Sequence, residues 1–438
     1  MNENLKKSLN KLREISSDLY HEYVPIITDT TDIGTFGTPI LTNPDVANDF
    51  IKALMNRIVY TSFEIRYFNN PLADLEGDNI PLGYAGQEIY INPAKGRKYN
   101  VNDFAGLLMK YESDVKVQYT SINMDLQYPV TITRHDLKKA FVSWEALDTF
   151  IDGLAQSLYN GAYIGEFNYT KELVSSAYKS NNAIIEVIDE PTTEANAKKF
   201  IEKARLLYLN FALPSNKYNM WAKVGGYGKP VNAWCNKEDI VMLIRNDILA
   251  YIDVNVLATS FNMDKSTLMG AIKPVDNFDI YDDDGTKIYD GSDIYAIICD
   301  KRFFRIKRQD MYLDMFYNAN NRSWQYYLNL TKMYNFSLFA NHTIFAKKAP
   351  SVLITGIDYA GTTSVTVGVG EDEGLDLNVT PITANTPNIT YKASNSKFTA
   401  TVDPSNDRHV TIHGVEAGTG KLTVTAGTLT LDVNVTVE

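Results

Sequence analysis

The stretch SWEALDTFIDGLAQSLYNGAYIGEFNYTKELVSSAY, residues 143–178, decides how the rest of the chain is read. Leu147, Phe150, Ile151, Leu154 and Leu158 recur at steps of three and four, which puts them on one face of a helix. Ser143 suits the N-cap, because its hydroxyl can accept from a free backbone N–H of the first turn. The pattern runs on toward Tyr178 across Gly153, Gly161 and Gly165. A glycine inside a helix costs about 1 kcal/mol relative to alanine. A long helix that keeps three of them is packed closely against something there, or bends.

Upstream, Leu5, Leu9, Leu12, Ile15 and Leu19 form an amphipathic stripe over residues 1–20. Such a helix either docks on a neighbouring subunit or packs on its own domain. Residues 21–45 contain Pro25, Gly34, Gly37, Pro39 and Pro44, and are expected to be an extended, irregular connection. Residues 80–134 alternate and are punctuated by glycine and proline, as a long two-stranded excursion would be.

Downstream, Thr193 and Glu194 after Pro191 open a second helix with Phe200, Ile201, Ala204 and Leu207 on its apolar face. Ile240–Ile244 is a buried strand or a helix start, which periodicity alone leaves open. DILAYIDVNVLATSF, 247–261, is expected to be helical. Residues 294–299, 303–307 and 324–330 are expected to be strands.

Composition breaks at Pro350. From there to Glu438 there is no Cys, Met or Trp, and Val, Thr, Asn and Gly dominate. Four Lys/Arg and ten Asp/Glu give this segment −6 of the chain's −11. Seven short alternating strands in about ninety residues predict a β-sandwich. Its GTGK, 418–421, lacks P-loop spacing and leads into alternating, β-branched residues, so it reads as a turn before a strand.

The 438 residues suffice for two or three domains. With no basic stripe and a net charge of −11, a dedicated nucleic-acid reader is not expected. The N-terminus lacks the apolar core of a secretory signal, and no run of 18 apolar residues offers a membrane span. Cys235 and Cys299 read as two buried thiols of a chain made inside the cell.

Catalytic motifs fail one by one. CxxC and GxSxG are missing, and His21-Glu22 is followed by Pro25 where a zinc motif needs histidine. His135 and His342 stand apart. His409 and His413 share a strand face roughly 13 Å apart without a third ligand. The acidic run 276–293 is out of register for a calcium loop around Gly285. The expectation is no catalytic, cofactor-binding or metal-binding residue and no cofactor: a non-enzyme whose surfaces are its function.

Six stretches, NDFIKALMNRI (48–58), NNPL (69–72), NIPLGYAGQEIY (79–90), LKKAFVSWEALDTFIDGL (137–154), DEPT (189–192) and DVNVLATSFNMDKSTLMG (253–270), resemble in order the major capsid proteins of phi-29-like podoviruses. The resemblance implies an α+β chain with the Hong Kong 97-type capsid fold. Its N-terminal arm would be residues 1–50 and its body 51–349. Within the body lie an extended loop at about 66–130, a spine helix at about 143–178, an axial domain at about 185–320, and a ladder near 324–346 that returns to the peripheral part. VTVGVGEDEGLDLNVTP, ITYKASNSKFTATVD and GVEAGTGKLTVTA make residues 350–438 similar to a bacterial Ig-like group 2 domain, which these capsid proteins carry at the same end.

The implied function is a major capsid protein that self-assembles into an icosahedral or prolate head shell around the phage genome. Its implied partners are copies of itself in pentamers and hexamers, a separate scaffolding protein, a portal protein, and packaged double-stranded DNA held without sequence-specific contact, with no membrane. It would be assembled in the host bacterial cytoplasm and reside in the virion capsid. The fifty residues ahead of the body are too few for a fused scaffold, so an unprocessed chain is expected. The alternative is a secreted bacterial surface adhesin with a terminal Ig-like domain. A carbohydrate-active enzyme would need a placed carboxylate pair, and none stands out.

Overall fold

The structure is a computed structural model that describes residues 3–60, 68–81, 86–98, 109–110, 112–221, 230–253, 271–282, 284–359, 364–403 and 406–438. The chain is α+β and forms two units. One comprises residues 1–87, 119–170 and 304–335, and the other 88–118, 171–303 and 336–438.

The first unit opens with four helices, α1 (Glu3–Glu14), α2 (Asp18–Tyr23), α3 (Ile33–Thr42) and α4 (Pro44–Tyr60). The expected irregular connection at 21–45 is therefore largely helical. Side chains of Ser17 and Asp32 accept from the backbone N–H groups of Tyr20 and Gly34 and so start α2 and α3. Pro39 lies inside α3, and burial of Phe36, Gly37 and Ile40 offsets its missing donor. Gly37 is needed there, since a methyl on it would lie 2.8 Å from the Phe141 ring. Leu5, Leu9 and Leu12 are buried in the core that holds Phe50, Leu147 and Trp324. Of the two readings of the first helix, packing on its own domain holds for these three leucines.

Strand β3 (Met124–Thr133) pairs antiparallel with β11 (Ser323–Phe336), and β11 lies between it and β10 (Phe304–Asn318). Only β1 (Gly86–Ile91) and β2 (Val115–Thr120) make the two-stranded sheet, so the excursion expected over 80–134 ends before β3. A capping box of Thr133 and Asp136 starts α5 (Arg134–Ala140). Next comes α6 (Trp144–Lys179), 36 residues long, with Ser143 Oγ accepting from the Ala146 N–H as the sequence predicts.

The second unit is built on a five-stranded mixed sheet in the order β4 (Ile185–Val187), β12 (His342–Ala346), β9 (Ile294–Asp300), β5 (Ile240–Arg245), β6 (Ala271–Val275). Consecutive residues of β5 and β9 are buried on both faces, which is why Ile240–Ile244 shows no period. Helix α7 (Glu194–Asn210), capped by Thr193, sets Ala197, Phe200, Ile201 and Ala204 into the same core as Ile240, Tyr295 and Phe345. Helix α8 (Asn246–Ile252) is the described part of the helix expected over 247–261; residues 254–261 lie outside the described residues. The acidic run closes a small hairpin of β7 (Ile280–Tyr281) and β8 (Lys287–Tyr289).

Two expected segments are divided by pairing. The ladder at 324–346 is split, with β11 beside β3 and β12 in the central sheet. The segment 185–320 loses its last part, because β10 pairs with β11.

The tail folds as two four-stranded sheets. One has the order β13 (Gly356–Tyr359), β15 (Asp372–Thr380), β18 (Asn406–Gly414), β17 (Phe398–Asp403). The other has the order β14 (Ser364–Val367), β20 (Leu429–Val437), β19 (Gly418–Ala426), β16 (Thr390–Ala393). The count is eight strands rather than seven; β13 is four residues long and too short to show alternation. Both sheets contribute to one apolar core, including Val367, Leu375, Phe398, Val410, Ile412, Val424 and Val435. GTGK lies within β19 itself, where Lys421 pairs with Asp432 of β20.

Candidate functional site

Groups able to do chemistry are dispersed. Among the described residues no three His, Cys, Asp or Glu side chains gather as a metal site would require. His409 and His413 do not act together: their Nδ1 atoms contact Asp376 at 2.6 Å and Asp372 at 2.7 Å, each directly across on β15. His342 is fully buried, takes the Ile184 N–H on Nε2 and faces the Ala340 carbonyl with Nδ1. Burial lowers its pKa to about 4. The two cysteines are free and buried; burial pushes Cys235 up to about 12 and Cys299 well above its usual value, so neither is a nucleophile at neutral pH. The acidic run uses Asp282 to close its own turn, accepting from the Thr286 N–H, with Gly285 at φ 76°.

Helix α6 is where long-range interactions converge. In the first unit, Lys332 of β11 is completely buried, and its Nζ lies 2.5 Å from Glu166 of α6 and 2.7 Å from Glu76. Arg308 of β10 stands 3.3 Å from the other Glu76 oxygen. Two cations and two anions thus cancel, as a buried charge requires. Glu76 follows a single 3-10 turn at Ala73–Leu75, and that segment runs beside β10, where Gly77 and Ile80 donate to Ile306 and Arg308 carbonyls. The Tyr334 ring covers the cluster, with the Lys332 ammonium 6.0 Å from its centre. Burial first, then the Glu166 and Glu76 charges, raises the Tyr334 hydroxyl and keeps it neutral.

Five residues along α6, in the second unit, Lys171 is 2% exposed and reaches Asp276 at 2.5 Å. Ser175 donates to the Phe278 carbonyl, and Tyr178 donates to the Lys348 carbonyl at 2.7 Å. Beyond the helix, Asn181 at φ 54° donates to the Thr383 carbonyl at 2.8 Å.

The glycines of α6 have different roles. Tyr128 of β3 lies over two of them: a methyl on Gly165 would fall 2.5 Å from its hydroxyl oxygen, and one on Gly161 would lie 3.5 Å from its ring. Gly153 has nothing within 4 Å of the same position among the described residues.

This arrangement fixes the relative placement of the segments it joins within each unit. Outward apolar side chains complete it: Ile15, Leu19, Tyr23 and Ile26 on the N-terminal segment, and Tyr312, Met315 and Phe316 on β10. Single exposed apolar residues are ordinary, but runs of them mark surfaces that meet another chain. Sequence reading missed Lys332. The available signal was its phase, because it alternates in step with the buried Trp324, Tyr326, Leu328 and Leu330.

Comparison with known proteins agrees with that arrangement. The family profile described as Phi29-like phage major capsid protein matches residues 9–346. The major capsid protein of Bacillus phage B103 is 27% identical over 434 residues, covering 98% of this chain and 87% of that protein. That of Bacillus phage PZA is 28% identical, covering 85% and 81%, and that of Streptococcus phage Cp-1 is 26% identical, covering 76% and 92%. Among solved structures, a chain from the capsid of Staphylococcus phage Andhra superposes with a TM-score of 0.52 at 14% identity, covering 66% of this chain and 87% of that one.

Proposed function

The chain belongs to the Phi29-like phage major capsid protein family and is a structural component of the virion shell; from that premise we propose how it builds the shell. The body takes the Hong Kong 97-type capsid arrangement, with α6 as the spine helix, the β10-β11-β3 sheet and N-terminal helices as the peripheral part, and the five-stranded sheet as the axial part. Copies close as pentamers and hexamers into an icosahedral or prolate head around double-stranded DNA. A separate scaffolding protein guides assembly in the host cytoplasm, and a portal protein occupies one vertex. The two-sheet tail is an Ig-like domain that reinforces contacts between capsomers.

One observation carries this reading: the profile match over residues 9–346 stops close to the composition break at Pro350. It contains both α6 and the buried cluster around Lys332. No observation favours the adhesin alternative. Particles purified from cells making the full-length chain with its scaffolding protein test the proposal by electron microscopy. Closed shells are expected; unassembled monomers alone would contradict it.

A further inference from the structure

The side of α6 near its start that carries Gly153 has three features that the described residues of a single copy leave without a use. Gly153 sits in mid-helix, and among the described residues nothing lies within 4 Å of where its side chain would start. Asp148 and Asp152 lie one turn apart, are half-buried, and have no hydrogen-bond or ion-pair partner among the described residues. Burial raises both carboxyls, and the Asp148 charge adds to the effect at Asp152. Glu145, one turn earlier, is exposed and adds a third negative charge.

The same unit presents the opposite charge. Arg134, His135, Lys138 and Arg322 line one surface pocket with Thr133 and Asn321, between the start of α5 and the turn that joins β10 to β11. Lys138 and Arg322 are exposed and unpaired among the described residues. Arg322 holds φ 52°, a region where glycine or asparagine is at ease and a long side chain is not. Asn320 and Asn321 stand next to it in the chain, yet the arginine occupies the strained position. Strain kept at a surface turn points to a use for that side chain.

We propose that the Glu145–Gly153 face of α6 in one copy seats the basic patch formed by Lys138 of α5 and Arg322 of the β10–β11 turn from a second copy. This rests on the shell reading. Two different patches of one chain that fit each other make a head-to-tail contact, which repeats around a symmetry axis and suits a closed assembly. Gly153 lets the incoming backbone approach the helix. The aspartates, already partly stripped of water, gain the cations that their own chain does not supply.

Exchanging the charges tests it in full-length chains. Asp148→Lys with Asp152→Lys reverses one side, Lys138→Glu with Arg322→Glu reverses the other, and a fourfold variant reverses both. Shell yield per amount of soluble chain is read by sedimentation and electron microscopy, with circular dichroism to confirm folding. Either one-sided reversal should lower the yield by about tenfold or more through like-charge contact, and the fourfold variant should return to within about threefold of the unsubstituted chain. One-sided variants that assemble normally would overturn the contact. So would a fourfold variant no better than its parents, which would point to an occupant other than a second copy. Should the lysine pair not fold, Asp148→Asn with Asp152→Asn and, separately, Gly153→Leu read the same face; normal yield from both overturns the proposal. An unsubstituted chain that makes no shells would count against the shell reading instead.

Discussion

The body and the tail hold themselves together by opposite means. In the body, a buried lysine, two glutamates and an arginine join three segments far apart in sequence. In the tail, the core is made of Val, Leu, Ile and Phe, and the ion pair Lys421–Asp432 and the hydrogen bonds His409–Asp376 and His413–Asp372 lie toward solvent. An apolar core tolerates swaps that keep volume. A buried ion cluster tolerates no loss of a partner, but it fixes where distant segments meet. On the proposed reading, a shell subunit needs that fixed geometry in its body, whereas an appended module needs only to fold.

The contrast should be sharpest at Lys332. Lys332→Ala takes the buried cation from Glu166 and leaves Glu76 with Arg308 alone, and should cost about 3–5 kcal/mol. Denaturant unfolding should show this as a large fall in midpoint. A volume-conserving swap in the tail, Leu422→Met, should cost less than about 1.5 kcal/mol. Equal losses at the two sites would break the comparison.

The next effect is pH-dependent and belongs to the second unit. His342 is neutral when folded, with its pKa lowered to about 4. Between pH 6.5 and 4 the unfolded chain therefore binds a proton that the folded chain does not, and stability falls as pH falls through this window. The contribution is fully present above pH 6.5, and about 3 kcal/mol of it is lost by pH 4. Stability curves at pH 7 and pH 4 should differ less in His342→Gln than in the unsubstituted chain by about that amount; an unchanged difference would rule the histidine out.

Smaller effects separate the glycines of α6. Gly165→Ala pushes a methyl into the Tyr128 hydroxyl and should destabilise by about 1–3 kcal/mol. Tyr128→Phe should relieve part of this. Gly153→Ala meets no described residue within 4 Å and should stabilise the monomer by up to about 1 kcal/mol. Thermal melts of the three variants check the order, and a destabilised Gly153→Ala would show that the helix is not regular there.

What could be read in advance follows from how local each signal is. The caps at Ser143 and Thr193 and the stripe Leu147–Leu158 lie within a few residues of what they control, and the structure places α6 and α7 accordingly. The tail was legible because alternation is a period of two. Helix α3 was not, because Pro39 and two glycines argue against a helix locally, and only contact with Phe141 and Trp144 around Phe36 overrides them. Asp32 as N-cap was the one local clue. The Lys332 cluster was hidden because its partners stand 166 and 256 residues away in the chain.

The central claim is that the body alone carries the shell and the tail is an addition to it. A chain ending at Lys348 keeps the carbonyl that receives the Tyr178 hydroxyl and loses only the Thr383 contact of Asn181 among the bonds described at that end of α6. Electron microscopy of particles from this shortened chain, made beside the full-length chain under identical conditions, tests the claim most directly. The account predicts closed shells from both, with those of the shortened chain fewer or less resistant to heat. Shells from the full-length chain and none from a shortened chain that remains soluble and folded would contradict it.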